Sequence, residues 1–208
     1  MIILGFRTRW RVLSQGTFFC PSCGGDRHYA QKQARRWFTL FFVPLIPLNS
    51  VGEAYECHSC HRTFNERVLH TPTTSDLASR LQWAMRLSVC SMVLDGDPHH
   101  AASRQAAIAA VRSTGATNYS ETDLDADLRA IDLTQLSVAA EHLADDFEPA
   151  GKEHYLLTSG RVALASGRLT ASNHGTLEQL GRSIGITPAH VNGVLHQLQE
   201  EAAPHPLG

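Results

Sequence analysis

Apolar and polar positions follow two different rhythms along the chain, and the change comes near residue 70. Before it, aromatic residues arrive in short runs broken by turn residues: Thr17-Phe18-Phe19, Ala54-Tyr55-Glu56 and Thr63-Phe64. Such runs predict strands. After it, apolar residues recur at three and four positions, the spacing that lines one face of a helix. Leu77, Leu81, Ala84, Leu87 and Ser88 mark a first helix running to about Leu94, capped by Ser75-Asp76. Its other faces hold Trp83, Val89, Cys90, Met92 and Val93. A helix apolar almost all round predicts a buried central one, in which Cys90 is a small core residue.

More helices follow. Asp95-Gly96-Asp97-Pro98 ends the first and starts a second, with Pro98 suited to the first turn and Ile108 and Val111 on the apolar face. Ser120 with Asp123 resembles a capping box ahead of Leu124, Leu128 and Ile131. Leu136, Ala140, Leu143 and Phe147 define another helix, ended by Pro149 and Gly151; Tyr155, Leu156, Val162 and Ala163 then precede Gly167. The last two helices span about 171–184 and 188–202. Between them Gly185-Ile186-Thr187-Pro188 supplies a C′ glycine, an N-cap threonine and a first-turn proline.

The cysteines give the first part its chemistry. Four of the five stand in two pairs, Cys20-Pro21-Ser22-Cys23 and Cys57-His58-Ser59-Cys60. Two intervening residues let a tight turn aim both sulfurs at one metal about 2.3 Å away. Cys23-Gly24-Gly25 adds the backbone freedom that such a turn needs after its second ligand. Cys20, Cys23, Cys57 and Cys60 are therefore the expected ligands of one structural Zn2+. Four sulfurs complete a tetrahedron, which leaves no open position for water or substrate. His28, His58 and His61 are then expected to support the ligands or to face solvent.

Between the pairs lies Arg35-Arg36-Trp37-Phe38-Thr39-Leu40-Phe41-Phe42-Val43-Pro44-Leu45-Ile46-Pro47-Leu48. Its apolar part is too short, and too broken by proline, to span a bilayer. Three readings of Trp37–Leu48 stand: strand core behind the metal site, a surface that docks on the helical part or on a partner, and a segment that dips into a membrane interface. Together with the C-P-x-C and C-x-x-C pairs, this string resembles a family of bacterial and fungal zinc-ribbon proteins over about residues 1–70. The resemblance implies a rubredoxin-like ribbon and no biochemical activity.

The helical part resembles the tellurite-resistance TerB-like family over about residues 76–200. Met92-Val93-Leu94-Asp95-Gly96, Leu156-Leu157, the run Val162 to Thr170 and the run Leu177 to Ile186 carry that likeness. The resemblance implies an all-helical bundle with two acidic elements that form a divalent-metal site. Here Asp95 survives, but Ala102, Ser166 and Asn173 occupy the other acidic positions. Ca2+ and Mg2+ want several carboxylate oxygens, so that site is expected to be weak or empty. Asp95, Asp97, His99 and His100 leave two readings, a mixed nitrogen and oxygen site or a polar helix junction.

The expected organisation is a small β-rich zinc ribbon over residues 1–70, a linker at 71–75, an all-α TerB-like bundle at 76–203 and a tail at 204–208. Charge divides at the same boundary. Residues 1–70 carry nine Lys and Arg against four Asp and Glu, or +5; residues 71–208 carry nine against sixteen, or −7. Arg7, Arg9, Arg11, Arg35 and Arg36 make the ribbon a candidate for nucleic acid. A helix-turn-helix template also fits Leu177 to Leu195, but no Lys or Arg follows Arg182 to meet phosphate.

No secretory signal or apolar spanning run is read at the start, so the expectation is a cytoplasmic protein with reduced cysteines. The chain holds none of the common catalytic motifs, G-x-S-x-G, a phosphate loop or H-E-x-x-H. The expected function is a non-enzymatic zinc-binding interaction protein with a protein partner, linked to stress or tellurite resistance through the TerB resemblance. The alternative is a nucleic-acid-binding regulator.

Overall fold

The computed structural model describes residues 4–40 and 43–202 of the chain, which divides into two units, Met1–Leu77 and Ala78–Gly208. In the first, β1 (Leu4–Cys20), β2 (Gly25–Leu40), β3 (Val43–Cys57) and β4 (Thr63–Phe64) form one antiparallel sheet in the order β1-β2-β3-β4. The strands are longer than the short aromatic runs imply. Polar positions such as Gln31, Gln33 and Ser14 continue the ladder between them, because pairing along the backbone does not need an apolar residue at each step. One residue, Leu13, is bulged out of β1 between the pairs Val12–Lys32 and Ser14–Gln31.

Among the described residues the sheet has a clustered core at its cysteine end. Phe18, Cys20, Tyr55, Cys57 and Val68 are buried there, with Cys23, Tyr29, Cys60, Phe64 and Leu69 packed against them. The central apolar string lies elsewhere. Trp37 pairs with Pro47 and Phe38 with Ile46, which puts Trp37 eight residues beyond Tyr29 on the same strand, about 27 Å away. The described part of the string is therefore not core behind the metal site. Phe41 and Phe42, like the side chains of Thr39, Leu40, Val43, Pro44, Leu45 and Pro47, lie outside the described residues, as does that of Arg7.

The expected linker is structured. A 3-10 turn covers Glu66–His70, and Thr73 is buried. Helix α1 spans Thr74–Leu94 and begins one residue before the expected cap. Thr73 and Asp76 form a reciprocal cap instead: the Asp76 amide donates to Thr73 Oγ1 (3.1 Å) and the Thr73 amide to Asp76 Oδ2 (3.0 Å). Asp26 supplies a second cap, accepting from the Thr74 amide (3.0 Å) and hydroxyl (2.5 Å).

The second unit is helical: α2 (Ala101–Ser113), α3 (Glu121–Ala130), α4 (Leu136–Ala144), α5 (Pro149–Leu164), α6 (Ala171–Ser183) and α7 (Pro188–Ala202). From Ala84 to Val93 α1 is buried except for Arg86, as its all-round apolar pattern predicts. Two boundaries differ from the sequence reading. Pro149 opens α5 rather than ending α4, since a first-turn proline loses no helical hydrogen bond. Helix α2 starts at Ala101 with His100 as its N-cap, because Pro98 sits in the preceding turn.

Buried polar groups are paired. Tyr119 donates to Asp127 (2.6 Å), which also takes Arg86 Nε (2.7 Å), and the Tyr155 hydroxyl meets Ser88 and Ala84 O. Cys90 is fully buried, and burial pushes its thiol up to about 12. It stays a protonated core residue. No described helix is long and apolar enough to cross a membrane.

Candidate metal centre

Strands β1 and β3 each end on a cysteine, and each is followed by a turn that folds back on that cysteine's carbonyl. The Cys23 and Gly24 amides donate to Cys20 O at 3.1 and 2.9 Å, and the His61 amide donates to Cys57 O at 2.9 Å. The two turns share a backbone form. The residue after the second cysteine has positive φ in both, 67° at Gly24 and 55° at His61. Glycine adopts it freely; in a residue with a Cβ the left-handed region costs about 1–2 kcal/mol. The second turn therefore holds His61 in a conformation that the fold imposes, with its ring 3.7 Å from Glu56.

The sulfurs of Cys20, Cys23, Cys57 and Cys60 lie within 4.8 Å of one another. Cys20 and Cys60 are 3.8 Å apart, Cys23 and Cys57 4.0 Å. A regular tetrahedron with 2.3 Å arms has edges of about 3.8 Å. The spacing fits a tetrahedral metal and is almost twice a disulfide bond. Among the described residues no other group of His, Cys, Asp and Glu gathers this way. His28, His58 and His61 are exposed outside the cage.

The electrostatics favour thiolate on one side of the cage. Burial pushes the Cys57 thiol up, but the backbone N–H groups of Cys60 and Ser59 outweigh it and leave Cys57 at about 7. Burial and the neighbouring sulfurs push Cys23 up to about 12. Four thiols at this separation cannot all ionise alone; a divalent cation at the centre removes the conflict. Aromatic rings wall the cage. Phe18 meets Tyr29 edge-on at 5.5 Å and Phe64 at 5.8 Å, while Tyr29 meets Tyr55 at 5.4 Å. On the opposite side of the sheet Lys32 pairs with Glu56 at 2.6 Å.

Two cysteine-closed turns, a tetrahedral sulfur cage and a long antiparallel sheet together describe a ribbon. Residues 18–97 match a zinc-ribbon family model. No curated protein and no solved structure matches the chain. The matched stretch takes in both cysteine pairs of the ribbon and continues through α1. The fold of the chain is thus an antiparallel sheet region with the zinc-ribbon match, followed by a region of seven described α-helices.

In the helical unit Asp95 is surrounded by hydroxyls. Asp95 accepts from Ser172 (2.7 Å), Thr176 (2.8 Å) and Ser91 (3.5 Å), and its carbonyl takes Thr170 Oγ1 (3.2 Å). Asn173, at a position where a carboxylate was expected, is buried and donates to Met92 O (3.1 Å) while closing the cap of α6 with Thr170. Of the two readings of Asp95, Asp97, His99 and His100, the mixed site finds no support among the described residues: these side chains do not gather into a ligand cluster, Asp97 accepts from the His99 amide and His100 caps α2. They make a polar helix junction.

Helices α6 and α7 are joined by a short turn. Gly185 has φ 73°, and Val191 and Leu195 are buried. The exposed residues of α7 include His190, Asn192, His196 and Glu200 but no Lys or Arg. Sequence reasoning missed Asp26 and the left-handed backbone of His61. The first needs a partner 48 residues away, and the second shows itself only when the two turns are overlaid position by position.

Proposed function

We propose that this protein is a non-enzymatic interaction protein whose ribbon is held by one structural zinc ion. The observation that carries the reading is the cage: four thiols at tetrahedral spacing, with no carboxylate or histidine among them. Such a set suits zinc, binds it as thiolates and leaves no coordination position open to a substrate. Zinc supplies folding energy where the apolar cluster is small. The helical unit is read as a TerB-like bundle that has exchanged its divalent-metal site for a hydroxyl-bonded Asp95, so its link to stress or tellurite resistance runs through protein contacts. A cytoplasmic location follows from reduced thiols.

Metal analysis of the purified chain tests this. About one zinc per chain, lost in Cys20→Ser together with ordered ribbon signals, is the expected result. Iron in the same cage, with the visible absorption of a ferric tetrathiolate, would replace the structural reading with electron transfer.

A further inference from the structure

The arginines of the ribbon fall on one face of the sheet. Arg9 stands directly opposite Arg35 in the register, and Arg11 opposite Gln33. Strand β2 has no bulge opposite this stretch in its pairing with β1, so Gln33, Arg35 and Trp37 alternate onto the same side. That side therefore gathers Arg9, Arg11, Arg35 and the half-buried Trp37. It is also the side on which Phe18, Tyr29 and the cysteine cage lie, because the extra residue at Leu13 shifts the phase of β1. The carboxylate that the register places on this face is Glu53, opposite Gln33, and it is engaged by Gln31 (2.9 Å) and Gln33 (3.1 Å). Like charges directly opposite each other destabilise a sheet. Arg9 and Arg35 keep that arrangement with no ion pair among the described residues.

We infer that this face is a binding track for single-stranded nucleic acid. Guanidinium groups two residues apart repeat about every 7 Å along the strand, so they meet a linear run of phosphates better than a single anion. Trp37 among them supplies a ring for a base to stack on. A membrane surface fits less well. The exposed apolar residues Trp10, Val12 and Ile46 lie on the opposite face, whereas an interfacial segment needs its cations to flank the apolar residues it buries. The track gives the proposed interaction protein its partner class and depends on that reading only for a folded ribbon.

The test is fluorescence titration of the full, zinc-loaded chain with a ~20-nucleotide oligothymidylate over a series of salt concentrations. Replacing Arg9, Arg11 and Arg35 together by alanine should weaken binding at least tenfold. It should also flatten the slope of log affinity against log salt by about 2. Zinc content and circular dichroism, measured on the same samples, report separately whether the ribbon stays folded. Trp37→Phe should abolish the quenching of tryptophan emission on binding, and Trp10→Phe, on the other face, should keep it. Arg168→Ala in the helical unit should change affinity less than twofold. If the triple variant loses zinc, Arg9→Gln alone serves, with an expected slope change of about 0.7. Absence of binding by the wild-type chain would overturn the inference, and so would equal binding by the triple variant. Arginine-dependent binding to phosphatidylserine vesicles but not to the oligonucleotide, or quenching that follows Trp10, would overturn it as well.

Discussion

The two units solve the same problem with different means. The helical unit buries apolar side chains from all seven helices around Tyr155, Leu156, Leu177 and Leu198, and its polar groups are paired inside that core. The ribbon has three strands of 15 to 17 residues, and its clustered apolar core among the described residues lies beside the cysteines. Backbone pairing extends a sheet; it does not by itself hold one in water. On the proposed reading, a metal in the cysteine cage carries in the ribbon what packed area carries in the helical unit.

The largest expected effect separates the two directly. Cys57→Ser removes one ligand from a site of a kind whose binding is worth about 10–16 kcal/mol in small zinc modules. The ribbon should lose zinc and the ordered signals of Phe18 and Tyr55, while far-ultraviolet dichroism keeps its helical amplitude. A ribbon that stays ordered without metal would erase the contrast.

Next comes packing in the helical unit. A Cβ at Gly181 would sit 2.3 Å from Cγ2 of Val191, a stiff β-branched side chain. Gly181→Ala should lower the stability of this unit by about 1–3 kcal/mol in urea, with zinc content unchanged. Gly175 in the same helix has open space around it. There Gly175→Ala should raise stability by about 0.5–1 kcal/mol.

Asp95→Ala comes third. It strips a partner from Ser172 and Thr176, for an expected loss of about 1–2 kcal/mol. Calorimetry with Ca2+ should show no stoichiometric binding before or after the change; micromolar binding that disappears with Asp95 would show a divalent-metal site there.

The smallest effect concerns acid. The Thr74 hydroxyl and amide hold Asp26 below the usual carboxylate range. A depressed folded value means that the stabilisation is complete above the ordinary carboxylate pKa near 4 and is lost as pH falls through the lower folded value. Amide exchange at Thr74 should quicken across that acid window in the wild-type chain and be fast at all pH values in Asp26→Ala.

Much of this was legible in the sequence, and unevenly. Cysteine spacing is a local pattern tied to bond geometry, so the clustering of the four cysteines could be read directly. The capping box of α3 and the glycine-proline break before α7 are equally local. The place of the central apolar string stayed open because composition does not reveal register: its pairing with Pro47 puts Trp37 at the far end of the sheet. Pro149 was ambiguous for a related reason, since a proline after one helix and before the next fits either role. That Ala102, Ser166 and Asn173 leave Asp95 without neighbouring carboxylates was visible, but not that hydroxyls from α6 would take up Asp95.

The bulge at Leu13 decides what insertion or deletion can do to β1. Alternation counted straight through the strand would put Arg9 and Arg11 on the side away from Phe18 and Cys20. Leu13 is half exposed and stands outside the paired ladder, so its deletion leaves Val12 against Lys32 and Ser14 against Gln31 and preserves every facing. The same deletion at Trp10 would carry Arg9 to the opposite surface. Length variation among descendants of this chain is therefore expected to collect at position 13, the one described place in β1 where a codon can vanish without turning the strand over.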